Sequence, residues 1–305
     1  MNWIDNIYAM TFAASLMIGV IHFFIWLKQT RLSGHLLFSG IAISVASLAI
    51  LEMYMMHAAT PGHYATLLRW SHVPITTFIL CILWFVRLDL GAGRYWLLMT
   101  GAGLRLVALC ANFLSGDNVH YLELTGLHRI ETLFGQTVPV PVGVRNPWMI
   151  VGQSSNFFIL WYLLDAMVSA WRSKQGPKRR QTLLVCGSLC LCVITASLLA
   201  VAVVLGKLQS PFILSPTFFP VVLVMSYLLG GDVVNTLRIS QELLRSQKKL
   251  GASEQRMEQT TTAANVGLWT WNLDEDVSWF SEIGTQLLGL PPGTQVSREA
   301  FLRLY

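Results

Sequence analysis

The chain has 305 residues, of which 54% are hydrophobic and 12% charged, and it carries a net charge of +5. Soluble globular domains carry about a quarter of their residues as charges, so this composition excludes a water-soluble fold for most of the chain and points to lipid. The positive balance does not mark a nucleic-acid surface, because the basic residues sit mainly in short loops between apolar runs.

A bilayer core takes about 20 apolar residues per helix, since each backbone N–H and C=O must be paired within its own segment. Seven runs meet this requirement, approximately Ile7–Leu27, Leu36–Met56, Leu67–Val86, Tyr95–Leu114, Trp148–Trp171, Thr182–Leu205 and Phe212–Leu229. The first has no basic leader and is followed by a basic loop rather than a small-residue cleavage site, so it reads as a retained helix. Pro211, Pro216 and Pro220 predict a kinked or partly unwound seventh helix. Cys81, Cys110, Cys186, Cys190 and Cys192 all lie in apolar runs without metal-ligand spacing and read as small core residues.

Alternate loops differ in charge. One set carries Lys28 and Arg31, then Arg87 and Arg94, then Arg172, Lys174, Lys178, Arg179 and Arg180. The other holds Arg69, Arg129, Arg145 and Lys207, offset by Asp117, Glu123 and Glu131. The positive-inside rule makes the first set cytoplasmic, with the N-terminus outside and the C-terminus inside. Trp148 and Trp171 fall at opposite ends of the fifth run, where interfacial anchors belong. The longest outer loop, 115–147, contains Thr137-Val-Pro-Val-Pro-Val-Gly-Val144, whose prolines forbid a central strand. An edge hairpin or extended lid over the outer mouth suits it, and so does a plain connector.

Residues 232–263 form a polar helix without membrane-spanning hydrophobicity. Leu243, Leu250, Met257 and Ala264 recur every seven residues, and Leu237 and Leu244 repeat the interval, which gives a thin coiled-coil seam interrupted by Gly251. Residues 264–305 change pattern again. Leu268–Leu273 alternates with period two, Asp274-Glu275-Asp276 is a turn, and Val277–Phe280 pairs back as a hairpin. Ser281 then caps a short helix that Pro291-Pro292-Gly293 ends, and a second begins at Ser297. A hairpin and short helices need further strands to bury their apolar face, so the segment reads as the opening of an α+β domain.

The run Ala264-Asn-Val-Gly-Leu-Trp-Thr-Trp-Asn-Leu273, with Trp279-Phe280-Ser281 and Leu287-Leu-Gly-Leu290, resembles the start of PAS domains in bacterial sensor histidine kinases. Upstream, Arg69-Trp70-Ser71-His72-Val73-Pro74, Phe85-Val86-Arg87-Leu88, Leu104-Arg105, Asn112-Phe113 and Val142-Gly143-Val144-Arg145-Asn146-Pro147-Trp148 resemble a family of multi-pass sensor kinases. In that family a seven-helix membrane region precedes a PAS domain, a dimerisation domain and an ATPase domain. The resemblance implies a mainly α architecture: a seven-helix transmembrane sensor domain over 1–231, a signalling helix over 232–263 and the N-terminal part of a PAS domain over 264–305. It implies the bacterial inner membrane, a homodimer through the linker helix and PAS domain, and a cognate response regulator as partner. All seven histidines lie within or beside the membrane region and no Gly-rich ATP-binding stretch is present. Phosphotransfer and ATP therefore belong to a kinase core outside this chain.

Ionisable groups in a membrane cost about 3 kcal/mol each on insertion scales, so they face the bundle interior and find partners. Glu52, His57, His72, Arg105, Asn112, Gln153 and Asn156 fall at overlapping depths and outline a signal site open to the outside. Glu52 and Arg105 are the expected pair, since a buried guanidinium stays charged and a carboxylate offers it two hydrogen bonds. A purely structural clamp between helices explains them equally well. His22 and Asp165 lie toward the inner side, where a neighbouring hydroxyl or backbone carbonyl is expected to satisfy them. Met53, Met56 and His57 share a helix face and raise a Cu(I) reading, although methionine is more often an apolar filler. Haem through two histidines is a lesser reading, and the pattern names no cofactor. The competing functions are a transporter or channel lined by Arg105 and Glu52, for which no inverted repeat is evident, and a sensor with a cyclic-dinucleotide output.

Overall fold

The computed structural model describes residues 3–30, 32–131, 135–172, 176–272 and 275–291. The chain divides into two compact units, Met1–Gly231 and Asp232–Tyr305. The first holds α1 (Trp3–Lys28), α2 (Ser33–Met56), α3 (Pro61–Leu88), α4 (Tyr95–Leu114), a hairpin of β1 (Tyr121–Glu131) and β2 (Thr137–Arg145), α5 (Met149–Arg172), α6 (Gly176–Val204) and the start of α7 (Ser215–Ala264). From α1 to α6, each helix packs on the next in the chain.

Among the described residues, five helices are long and apolar enough to cross a membrane: α1, α2, α3, α4 and Lys178–Val204 of α6. The other two apolar runs differ for identifiable reasons. Helix α5 has the length but carries Gln153, Ser154, Ser155, Asn156 and Asp165. The apolar part of α7 is short, Ser215–Gly231, because residues 205–214 leave the helix. Pro216 falls in the first turn, where its missing N–H costs nothing. Pro220 is inside the helix, where it has no N–H for the carbonyl four residues back.

Helix α1 shows how polarity is distributed. Its buried face is Tyr8, Thr11, Ser15, Gly19 and His22, while Met10, Met17, Ile21 and Phe24 point outward. Small and polar residues inside with apolar residues outside invert the pattern of a water-soluble helix. Close approach follows. The Ser39 hydroxyl donates to the Gly19 carbonyl at 2.8 Å, and a Cβ on Gly19 would lie 2.9 Å from Ile43 Cγ1. Near the opposite end from the hairpin, the Nδ1 atoms of His22 and His35 share a 2.8 Å hydrogen bond. Asp165 accepts from the Arg94 N–H at 3.0 Å and lies 3.4 Å from Arg94 Nε, so an arginine for Asp165, and a second imidazole for His22, stand where the sequence suggests a hydroxyl or backbone carbonyl.

The apolar core joins α2 to α6 and the first part of α7. Phe38, Val45, Phe78, Leu83, Leu98, Tyr162, Cys186, Leu189, Val222 and Met225 belong to one buried cluster. The Tyr162 hydroxyl reaches the Leu83 and Ala92 carbonyls, each at 3.2 Å. Gly93, at φ +80, leaves room for its ring, since a Cβ there would sit 2.3 Å from Cε2. A second cluster places Tyr121, Leu124 and Val138 of the hairpin against Tyr8, Met55, Tyr64, Leu68, Val203 and Phe212. Within the 115–147 segment, Tyr121–Glu131 and Thr137–Arg145 thus form a two-stranded hairpin seated on one end of the first unit. Pro139 and Pro141 lie opposite Arg129 and Leu127 in a strand with a single neighbour, the position that prolines tolerate.

In the second unit α7 stays helical through Gly251 and ends at Ala264, with Asn265 at φ +52. Leu237, Leu243, Leu244, Leu250 and Met257 are all more than half exposed. β3 (Trp269–Asn272) and β4 (Val277–Phe280) form an antiparallel hairpin pairing Trp269 with Phe280 and Asn272 with Val277. The Ser281 Oγ accepts from Gly284 N at 3.2 Å and Leu268 N at 2.9 Å, which caps α8 (Glu282–Leu287) and ties it to the strand. Gly289, at φ +67, ends α8 before the prolines do: the Leu290 N–H donates to the Thr285 carbonyl at 2.8 Å, as in a Schellman motif. The helix expected from Ser297 lies outside the described residues.

Replacing Gly19 with leucine should wedge α1 from α2 and cost about 1–3 kcal/mol. Val20→Leu on the outward face should be close to neutral. Denaturant titration of the two variants in detergent checks the contrast.

Candidate functional site

A cavity of about 70 Å³ lies under the hairpin end of the first unit. His72 and Thr76 of α3, Arg105 of α4, Gln153 and Asn156 of α5, and His120 of the segment before β1 supply its polar lining. Ile75, Ile79, Leu109, Val193, Leu214 and Phe218 supply much of its apolar wall, and no carboxylate lines it. A single water needs about 10–15 Å³ on this measure, so the space holds several heavy atoms.

Asparagines hold the loop that delivers His120. Asn112 at the end of α4 donates from Nδ2 to the Arg69 carbonyl at 2.9 Å and accepts the Val119 N–H at 3.0 Å. The Asn118 Oδ1 accepts the N–H groups of His120 at 2.9 Å and Tyr121 at 3.0 Å. Asn146 donates to the carbonyls of Ser115 at 2.9 Å and Asn118 at 2.8 Å, while its own N–H reaches the His120 carbonyl at 2.9 Å. The Arg69 guanidinium donates to the carbonyls of Gly116 and Asp117. Side chains thus complete the hydrogen bonding of a loop that turns away from the sheet ladder. Rings then fix His120 from both sides, with His72 at 5.0 Å and Phe212 stacked at 5.2 Å.

Three groups in this lining are buried without a hydrogen-bond partner: His72 Nε2, His120 Nδ1 and Arg105 Nε. Each of these residues is less than a tenth exposed. An unmade hydrogen bond of this kind costs about 1–3 kcal/mol, and more for a charged group. No described residue forms an ion pair or hydrogen bond with Arg105. Burial, and secondarily the Arg105 charge, depress the His120 imidazole to about 4, so it is neutral at pH 7.

Of the residues singled out from the sequence, the cavity gathers His72, Arg105, Gln153 and Asn156. Asn156 also spans to α6, donating to Ser197 Oγ at 2.8 Å. Asn112 serves the loop rather than the cavity. The expected Glu52–Arg105 pair does not form. Glu52 instead accepts from Leu214 N at 2.7 Å, Ser215 N at 3.0 Å and Ser215 Oγ at 2.6 Å. The first N–H groups of α7 have no acceptors within their own helix, and this demand takes the carboxylate. His57 Nε2 lies 2.8 Å from Asp5. Met56 is buried in the cluster beneath the hairpin and Met53 packs against it, so the three residues of the copper reading contribute to a surface hydrogen bond and a core. His120 and Thr76 join the site without having been read from the sequence. Thr76 follows His72 by one helical turn and was legible; His120 depends on a loop fold that no spacing encodes.

The chain matches no known protein-family model, and no curated protein is significantly similar to it in sequence.

Since Glu52 is bonded to the start of α7 and not to Arg105, Glu52→Ala and Arg105→Ala should act additively. A double-mutant cycle on thermal stability should give a coupling within about 0.5 kcal/mol of zero, with Glu52→Ala alone costing about 2–4 kcal/mol. The depressed His120 favours the fold above its ordinary pKa of about 6.5, and that contribution is lost as pH falls from 6.5 toward 4. The wild-type chain should lose on the order of 2 kcal/mol between pH 7 and pH 5 that His120→Gln does not lose. His72 and Arg105 remain in both proteins, so the difference between their melting profiles reports the His120 charge together with its repulsion of the neighbouring His72.

Proposed function

We propose that the chain is the signal-input region of a two-component sensor histidine kinase in a bacterial inner membrane. In this reading α1 to α6 and the first part of α7 are seven membrane-spanning helices, with the N-terminus outside and the C-terminus in the cytoplasm. The polar remainder of α7 is a dimer helix, and residues 264–305 begin a PAS domain. A second copy of the chain and a response regulator are its partners, and the kinase core that uses ATP lies beyond Tyr305.

One observation carries the receptor role. The cavity holds buried polar groups that the described chain leaves unsatisfied, and part of its wall is Leu214, the residue before α7, and Phe218, in the first turn of the helix that runs on to Ala264. A stimulus that completes those hydrogen bonds favours whichever arrangement of α3, α4 and α7 presents them best, which is all that ligand control of a two-state helix bundle requires. The inverted polarity of α1 and the loop charges support the membrane topology. The exposed leucines of 237–257 support a self-association seam, and the Trp-rich hairpin with its capped helix supports the PAS reading.

The test uses the intact gene product in inverted membrane vesicles. Labelling with γ-phosphate-labelled ATP should place an acid-labile phosphate on histidine. Insertion of one to four alanines after Leu250 should change the labelling in a manner that follows helical phase. A chain whose C-terminal fusion to a periplasm-only reporter is active, or whose parent yields a cyclic dinucleotide or no labelled product at all, would overturn the kinase assignment.

A further inference from the structure

The cavity's chemistry narrows what it can bind. Its lining holds one permanent positive charge, Arg105, and no carboxylate. The guanidinium is buried, so its charge is poorly compensated by solvent, and no described residue pairs with it. His72 Nε2 and His120 Nδ1 are unpartnered in the same lining. Either ring donates or accepts according to its tautomer, and Gln153 adds an amide that bonds no described residue. Thr76 and Asn156 complete the polar lining, and the remainder of the wall is apolar. The complement of such a surface is a single negative charge with planar acceptor geometry on an apolar body. At about 10–15 Å³ per water-sized centre, a space of about 70 Å³ takes roughly five such centres.

We propose that this cavity binds a small organic monocarboxylate of about four to six heavy atoms, its carboxylate held in the fork of Arg105 and completed by His72, His120 and Gln153, its alkyl end against Ile75, Ile79 and Phe218. The proposal rests on the receptor reading and supplies its ligand class. Two features favour a monocarboxylate over a phosphate. The planar guanidinium matches a carboxylate edge with two parallel hydrogen bonds. With His120 neutral, the lining offers one compensating charge from Arg105, and a dianion would remain half unpaired in an apolar wall. The ligand would also bridge α3, α4 and the loop before β1, adding to the hydrogen bonds through Asn112 and Arg69 that already join them.

The experiment measures binding to the chain itself, purified in nanodiscs at pH 7, by calorimetry with sodium propionate. Sodium chloride at equal ionic strength is the blank, and propionamide is the neutral isostere. Saturable binding of acetate, propionate or butyrate, with propionamide at least 10-fold weaker, is expected. Arg105→Gln should weaken propionate binding about 10- to 100-fold. Arg105→Lys, which keeps the charge and loses the fork, should fall between. The ligand comparison does not depend on any variant folding. Equal binding of propionate and propionamide, undiminished binding by a folded Arg105→Gln chain, or tighter binding of inorganic phosphate would each overturn the assignment. So would the absence of saturable binding by all three carboxylates. The readout does not pass through a kinase, so such a failure refutes the carboxylate site alone, whereas failure of histidine phosphorylation refutes the receptor reading.

Discussion

The grip of Glu52 on the beginning of α7 holds the first unit in register. A helix that starts in apolar surroundings brings N–H groups with no intrahelical acceptor and no water to take them. Glu52 supplies that acceptor from 163 residues away in sequence, taking the backbone and side chain of Ser215 together. The carboxylate also sits where the helix dipole favours negative charge. This contact fixes the level at which α7 enters the bundle. Phe212 then lies under the hairpin against His120, and Phe218 stacks on Phe78 with ring centroids 4.4 Å apart. Cavity wall, hairpin seat and α7 all take their positions from the same carboxylate.

Committing Glu52 to α7 has a second effect. Acidic groups are scarce in this unit's interior, so a guanidinium on a neighbouring helix finds none to spare. Asp165 is held by Arg94 near the opposite end and Asp5 by His57 at the surface. Arg105 is therefore buried beside two imidazoles and apolar side chains. A bundle built only for stability would gain by replacing it with an apolar residue of similar size. Keeping an unpaired charge in such a place makes sense when something outside the chain supplies the counter-charge.

Much of this architecture is legible in the residue order. Apolar run lengths locate α1 to α4 and α6 closely, because backbone pairing in lipid leaves one solution for such runs. The alternation of Trp269, Thr270, Trp271 and Asn272 and the capping Ser281 locate the second unit's hairpin and short helix. The prolines of 137–144 admit an edge hairpin, an extended lid or a plain connector, and the structure takes the hairpin. Four of the polar residues that depth alone groups together do meet in one cavity. The failures share a cause. Pairing Glu52 with Arg105 counts side-chain charges and overlooks the backbone donors at a helix start, which have no letter in the sequence. His120 is invisible for a similar reason, since its place is set by Asn112, Asn118 and Asn146 bonding to main-chain atoms. The early end of α8 at Gly289 is a third case, a left-handed residue closing the helix before the more conspicuous prolines.

The polarity of α5 bears on how the chain is assembled. Its Ser155 hydroxyl reaches the Gly101 carbonyl of α4 at 3.0 Å, and Asn156 reaches Ser197 of α6. Neither bond is available to α5 alone. For a chain made vectorially into a bilayer, this segment would emerge from the ribosome with one partner already in place and the other still to be synthesised. It is too polar to leave the insertion machinery as readily as α1 or α2. In the topology proposed above, α5 would therefore enter lipid more readily beside α4 and α6, which take its polar groups, than alone.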